Sequence, residues 1–221
     1  MEIYDTEEEQ VAAIKRWWKE NGTSTITGVV VGVAMLSGWN LWQNHTKDKA
    51  NQASAFYTQL QESVSKENIE SAEKIAEKLE TDFASTSYID FASLQLAKIK
   101  VQQGDLDAAK VLLEKLMVGA NSVELKHVAR IRLIKVLQAT DQNEQGLQLI
   151  AEVNQASAEG FIGSYDELKG DLYVALDRLG EARTAYQSAL RAGVQSPLLQ
   201  FKLDDITPVE IVSNPVQLLA E

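Results

Sequence analysis

The stretch Ile26 to Trp42, ITGVVVGVAMLSGWNLW, is the heart of the one long run in this chain without a charge. Extended back to Thr23, it is long enough for a helix to cross a hydrocarbon core of roughly 30 Å at about 1.5 Å per residue. Residues 23–42 therefore read as a single transmembrane helix. All four tryptophans flank the run, Trp17 and Trp18 before it and Trp39 and Trp42 after it. Trp18 to Trp39 is about 32 Å of helix, so the pairs suit the two headgroup levels as interfacial anchors. A core helix of a soluble domain would show a polar face, whereas only small hydroxyls and Asn40 interrupt this one. A cleaved signal peptide fits poorly, because the region before the apolar run is long and begins acidic, and no small-x-small site precedes the polar sequence after Trp42.

Orientation follows from the flanking cations. Lys15, Arg16 and Lys19 precede the helix and Lys47 and Lys49 follow it; three against two favours a cytoplasmic N-terminus. Within the helix, Ser24, Gly28 and Gly32 recur at four-residue spacing, as do Ala34 and Gly38. Such small-x-x-x-small ridges let helix backbones approach closely. They fit an anchor that docks on another membrane protein, and equally the ordinary glycine content of membrane helices.

The first 22 residues carry six acids and three bases, so of the formal net charge of −11 the remainder of the chain bears −8. That balance argues against nucleic acid as a partner and against adhesion to anionic lipid. Residues 1–22 read as a short cytoplasmic tail with a narrow apolar stripe of Val11, Ile14 and Trp18, closed by a break at Asn21 and Gly22. Cysteine is absent, which is compatible with an oxidising compartment without establishing one. Residues 43–51 are expected to be a linker or an extension of the helix.

From Lys47 onward Ala, Leu, Gln, Glu and Lys dominate and proline is absent until Pro197, a helix-forming composition. Aligning one small residue per unit gives Ala72, Ala109, Gly146 and Ala182, spaced 37, 37 and 36 residues apart. Four positions on lie Ala76, Leu113, Ile150 and Tyr186; seven positions on lie Leu79, Leu116, Val153 and Ala189. Twelve positions before lie Leu60, Ala97, Ile134 and Gly170. This periodicity predicts stacked antiparallel helix pairs over 52–206, each small residue letting the helices of its pair approach. Turns are expected at Gln103 to Asp105, Asp141 to Asn143 and Asp177 to Gly180. Pro197 is expected to end the last helix, and the apolar residues from Leu198 to Ile206 to cap the array. Residues 207–221 are expected to be a loosely held tail.

In the last unit Gly170, Tyr173, Ala182, Tyr186 and Ala189 stand where tetratricopeptide repeats carry Gly, Tyr, Ala, an aromatic and Ala, and the array resembles that superfamily. The early Trp and late Pro of the pattern are missing, and the spacing exceeds the usual period of about 34 residues, so the repeats are divergent. The fold class expected is all-α, one N-terminal transmembrane helix followed by a tetratricopeptide-like array.

Catalytic and metal chemistry find little support. His45 and His127 are far apart in sequence and lack a Cys partner, so they read as surface or interface residues rather than zinc ligands. The GFIG of Gly160 to Gly163 lacks the Lys and the strand of a phosphate loop, and no serine sits in a nucleophile motif. No enzyme activity and no cofactor are expected. What remains is a groove along the first helices of the pairs, with Tyr57, Gln61, Lys98, Arg130 and Tyr165 as candidates for binding an extended segment or a helix. Tyr57 fits the core as well as the groove.

Taken together, the opening MEIYDTEEEQVAAIKRWWKENG, the anchor with GVVVGV and GWNLW, and the divergent repeats resemble the YfgM family, ancillary subunits of the bacterial Sec translocon. The likeness covers essentially the whole chain; its most specific part is the first 42 residues, and the tail after Pro208 departs from it. The resemblance implies an inner-membrane protein with a cytoplasmic N-terminus and a periplasmic repeat domain. It further implies association with the SecYEG translocon, partnership with a PpiD-like membrane-anchored periplasmic chaperone, and contact with unfolded or emerging client proteins. The alternative is a membrane-anchored scaffold, or a relay whose cytoplasmic tail controls a soluble regulator.

Overall fold

Helix α1 takes up the whole span from Glu7 to Ser65, 59 residues without interruption, in a computed structural model that describes residues 7–207. The remaining helices are α2 (Ile69–Asp82), α3 (Tyr88–Gln102), α4 (Leu106–Gly119), α5 (Val123–Ala139), α6 (Asn143–Ala151), α7 (Ile162–Ala175), α8 (Leu179–Arg191) and α9 (Pro197–Asp205), with one 3-10 turn at Glu159–Phe161. No strand occurs among the described residues. The chain divides into two units, Met1–Ser54 and Ala55–Glu221.

In the first unit the stretch from Glu9 onward is long and apolar enough to cross a membrane, and its most apolar window buries nothing within the protein. Trp17, Trp18, Trp39 and Trp42 are all more than half exposed, and within each pair the rings are tilted to one another with centroids 6.3 and 5.3 Å apart. The expected break at Asn21 and Gly22 does not occur. The Asn21 amide donates back to the Trp17 carbonyl at 3.2 Å, and Thr25 and Thr27 donate to the carbonyls of Asn21 and Thr23 at 2.9 and 2.8 Å. Gly22 lies under the Trp18 indole. Polar groups that could have capped a new helix instead bond within the old one. Residues 43–51 likewise continue the helix.

In the second unit the end of α1 pairs with α2, α3 with α4, α5 with α6, and α7 with α8. The small residues Ala72, Ala109, Gly146 and Ala182 are buried, as are Leu60, Ala97, Ile134 and Gly170 on the facing helices. One buried cluster joins α3, α4 and α5 through Ala97, Leu113, Leu133 and Leu137. A second joins α5 to α7 through Ile134, Leu168 and Leu172. Helix α5 thus presents adjacent residues, Leu133 and Ile134, to different neighbours, which is how a stacked array builds a continuous core.

All four turns within the pairs share one construction. Glu67, Gly104, Asp141 and Asp177 adopt the left-handed conformation, with φ between 56° and 79°. The next N–H in each case donates five residues back, Asn68 to Ser63 and Asp105 to Lys100 at 2.9 Å, Gln142 to Leu137 and Arg178 to Tyr173 at 2.8 Å. This is the Schellman cap. The residue that closes it is also the N-cap of the next helix, and Asn68 and Asp105 accept from the N–H groups of Ser71 and Ala108 at 3.1 Å. Only one of the four left-handed positions is a glycine. Glutamate strains there, whereas glycine does not. Glu67→Gly is expected to raise stability by about 0.5 to 1 kcal/mol, read as a higher melting temperature of the full chain in detergent; an unchanged or lowered value would refute the strain.

The last pair ends differently from the expectation that Pro197 stops it. Helix α8 stops at Arg191, where Gly193 turns at φ 91°, and Pro197 instead opens α9 behind a Ser196 cap. Proline suits that first position because its missing N–H would have no partner there. Leu199 and Leu203 of α9 pack on Ala182, Tyr186 and Ala189, while Leu198 and Phe201 remain exposed. Residues 208–221 lie outside the described residues, as does most of the expected tail.

Candidate functional site

The face formed by the first helices of the pairs is where binding was expected, and its residues divide into two groups. Tyr165 is buried. Its hydroxyl lies 2.8 Å from His127 Nδ1, and burial pushes its pKa up to about 12 against a small opposing pull from Arg130. His127 is buried too, stacked on Phe161 at 5.1 Å, so the sequence-based reading of a surface histidine is corrected. The pair fills the seam between α5 and α7, where a short 3-10 turn replaces a full helical neighbour. Arg130 donates to the Leu149 carbonyl at 2.7 Å and approaches Glu152, which commits it to the joint of α5 with α6. Neither Tyr165 nor Arg130 is available to a ligand in this arrangement.

Tyr57 is half-buried between the rings of Tyr88 and Phe91, at 5.9 and 6.0 Å, a packing role with one edge open. Gln61 and Lys98 are exposed and line a polar hollow together with Gln95 and Gln102. Lys98 also borders a second, apolar hollow of about 240 Å³ between α3 and α5. Its walls include Ala97, Leu106, Leu113 and Val136, and Arg132 and Lys135 stand at its edge. No carboxylate lines it. The sequence reading missed Arg132 and Lys135, although the period that places Lys98 eleven residues before Ala109 places Lys135 eleven before Gly146.

Several cations elsewhere in the array are paired with acids. Lys115 pairs with Glu80, Lys100 with Glu73 at 2.6 Å, and Arg178 with Glu144 and Glu181. Lys202 of α9 bridges Glu167 and Asp171 of α7 at 2.9 and 2.8 Å. Burial lowers its pKa, but the hydrogen bonds and charges of these two acids outweigh that and leave it raised. Lys98, Arg132 and Lys135 take part in no ion pair among the described residues; Arg132 donates only to the Leu94 carbonyl at 3.1 Å.

The repeat signature has its own geometry. Gly170 lies against the ring of Tyr186, whose hydroxyl donates to Asp171 at 2.8 Å. The Arg178 guanidinium sits 4.5 Å from the centre of the Tyr173 ring. Among the described residues nothing lies within 4 Å of a β-carbon placed on Gly28, Gly32 or Gly38, so the face they open has room for a neighbour. Among the described residues no cluster of three His, Cys, Asp or Glu forms a metal site.

Comparison with known proteins agrees with this geometry. A family model described as a tetratricopeptide repeat-like domain matches residues 15–208. The "Ancillary SecYEG translocon subunit" of Escherichia coli (strain K12) is 29% identical over 213 residues, 94% of this chain and 100% of the relative. The protein of the same name from Haemophilus influenzae is 30% identical over 206 residues, 92% of this chain and 99% of the relative. That from Aggregatibacter actinomycetemcomitans is 29% identical over 202 residues, 90% and 97% respectively. With a membrane-length helix, a stacked helical array and relatives alike from end to end, the chain belongs to the family of ancillary SecYEG translocon subunits with a tetratricopeptide repeat-like domain.

Proposed function

We propose that this chain is a non-catalytic inner-membrane accessory of the Sec translocon, with its N-terminus in the cytoplasm and its repeat domain in the periplasm. There it holds a PpiD-like chaperone, emerging client proteins, or both. The observation that carries the reading is the continuity of α1, whose membrane-length segment runs on to supply the first helix of the first repeat pair. A binding module in the same chain as a membrane-length helix is tethered to the membrane. Tethering raises the local concentration of a weak ligand to the millimolar range for short connections, so modest intrinsic affinity is enough. The small-residue face of Ser24, Gly28 and Gly32 supports docking of the anchor on a channel subunit.

Site-specific photo-crosslinking in membranes tests this. A probe at Val31 is expected to capture channel subunits, and probes at Gln61 and Lys98 a periplasmic chaperone or exported chains. Self-crosslinks alone at Val31, with no envelope partner at the other two positions, would favour a homo-oligomeric scaffold and remove the translocon reading.

A further inference from the structure

We propose that the hollow between α3 and α5 receives an aliphatic side chain of an acidic peptide segment, whose flanking carboxylates meet Lys98, Arg132 and Lys135. The inference rests on the reading that the repeat domain binds protein partners, and it names the chemistry of the segment bound.

Three observations converge on that occupant. The hollow is apolar inside and bordered by three cations, with no acid in its lining. Those cations lack ion-pair partners among the described residues, whereas Lys100 and Lys115 are paired with acids of the preceding repeat. The chain as a whole carries −11, so its general field repels an acidic ligand, and these three side chains form a local exception that would admit one. Charge complementarity of this kind fixes register and selects partners more than it adds raw affinity.

The volume and the surroundings favour a peptide. About 240 Å³ lies below the roughly 300–1,000 Å³ typical of pockets that enclose a whole small molecule; it suits a side chain or two. Lys98 joins the hollow to the neighbouring one, whose wall includes Gln61, Gln95 and Gln102 as well as Val64, Ile69 and Glu67. Primary amides both donate and accept, as an extended peptide backbone requires, while a hydrocarbon chain would gain nothing from them. The period of the array explains the layout. Gln61, Lys98 and Lys135 are equivalent positions of successive repeats, so a segment crossing the face meets amide, cation and cation in turn. The fourth equivalent, Asp171, is already bound to Tyr186 and Lys202, which closes the strip.

The test uses the full chain in phosphatidylcholine nanodiscs and the fluorescein-labelled peptide Glu-Leu-Glu-Leu-Leu-Glu-Leu-Glu, followed by fluorescence anisotropy. Saturable binding is expected, weakening about tenfold in the double variant Lys98→Glu with Lys135→Glu and falling as salt is raised. Both lysines are exposed and unpaired, so the variant should melt like the parent. Ala139→Leu, which fills the mouth of the hollow from an exposed position, should weaken binding, and a peptide with serine in place of leucine should bind at least tenfold more weakly. No binding, equal binding by the serine peptide, or affinity unmoved by the charge reversals would overturn the proposal. Binding that emerges only after residues 208–221 are removed would make the chain's own tail the occupant and overturn it equally. Channel crosslinks from Val31 in membranes separate the two readings. If they persist while the peptide fails to bind, this proposal alone falls; if they are lost, the accessory reading falls with it.

Discussion

Gly170→Ala is expected to destabilise the repeat domain by about 3 kcal/mol, a large share of the roughly 5–15 kcal/mol that holds a domain together. A β-carbon at that position would lie 2.3 Å from two carbons of the Tyr186 ring and 2.9 Å from a third. Real contacts of that length do not occur, so α7 and α8 must separate or the ring must move. The ring is pinned at its far end, because its hydroxyl donates to Asp171, which also binds Lys202 of α9. Overpacking costs about 1–3 kcal/mol, and loosening a hydrogen bond to a charged group adds about 1.5–3 kcal/mol. Denaturant unfolding of the full chain in detergent would measure the loss. Adding Tyr186→Leu should recover part of it, since neighbouring sites couple by about 0.5–3 kcal/mol. A change within about 0.5 kcal/mol for Gly170→Ala would mean the two helices have slack that the geometry does not show.

Placing arginine at both Val31 and Leu36 is expected to release the protein from the membrane. Both side chains are well exposed on α1 and touch no core. Each arginine near the middle of a span costs about 2.5–3.5 kcal/mol on the insertion scale, and this helix, with its glycines and hydroxyls, starts only modestly hydrophobic. Two such changes outweigh its preference for lipid. Membrane flotation would show the parent floating and the variant in the soluble fraction. The melting of the repeat domain should be unaltered, because its core begins beyond the substituted segment. A variant that still floats would mean that something other than this segment retains the chain.

How far the sequence reveals these features depends on what each one needs. The membrane helix rests on the absence of charge over a known thickness, a property of composition, and it could be read directly. The helix pairs followed from one small residue recurring every 36 or 37 positions, since close approach of two helices tolerates few alternatives. Tyr165 was misplaced because an aromatic with a hydroxyl suits a groove or a core equally. Its equivalents one and two repeats earlier, Ala129 and Ala92, are buried, and that comparison would have placed it inside. His127 belongs with it, since a buried imidazole needs a partner and the partner lies 38 residues away. The left-handed turns at Glu67, Asp141 and Asp177 were harder to foresee, because glycine marks only one of the four and the conformation of the others is imposed by the packing of the pair. The continuation of α1 past Gly22 depends on side chains that bond back along the helix, which propensity alone does not anticipate.

The shared three-residue turn has a consequence for how the array comes apart. Since the group that seals the end of one helix also starts the next, fraying at either end withdraws support from the other. A pair is then the smallest piece that opens, and the end of α1 and α2 open together. Local opening would proceed in whole-repeat steps, exposing a full apolar interface each time.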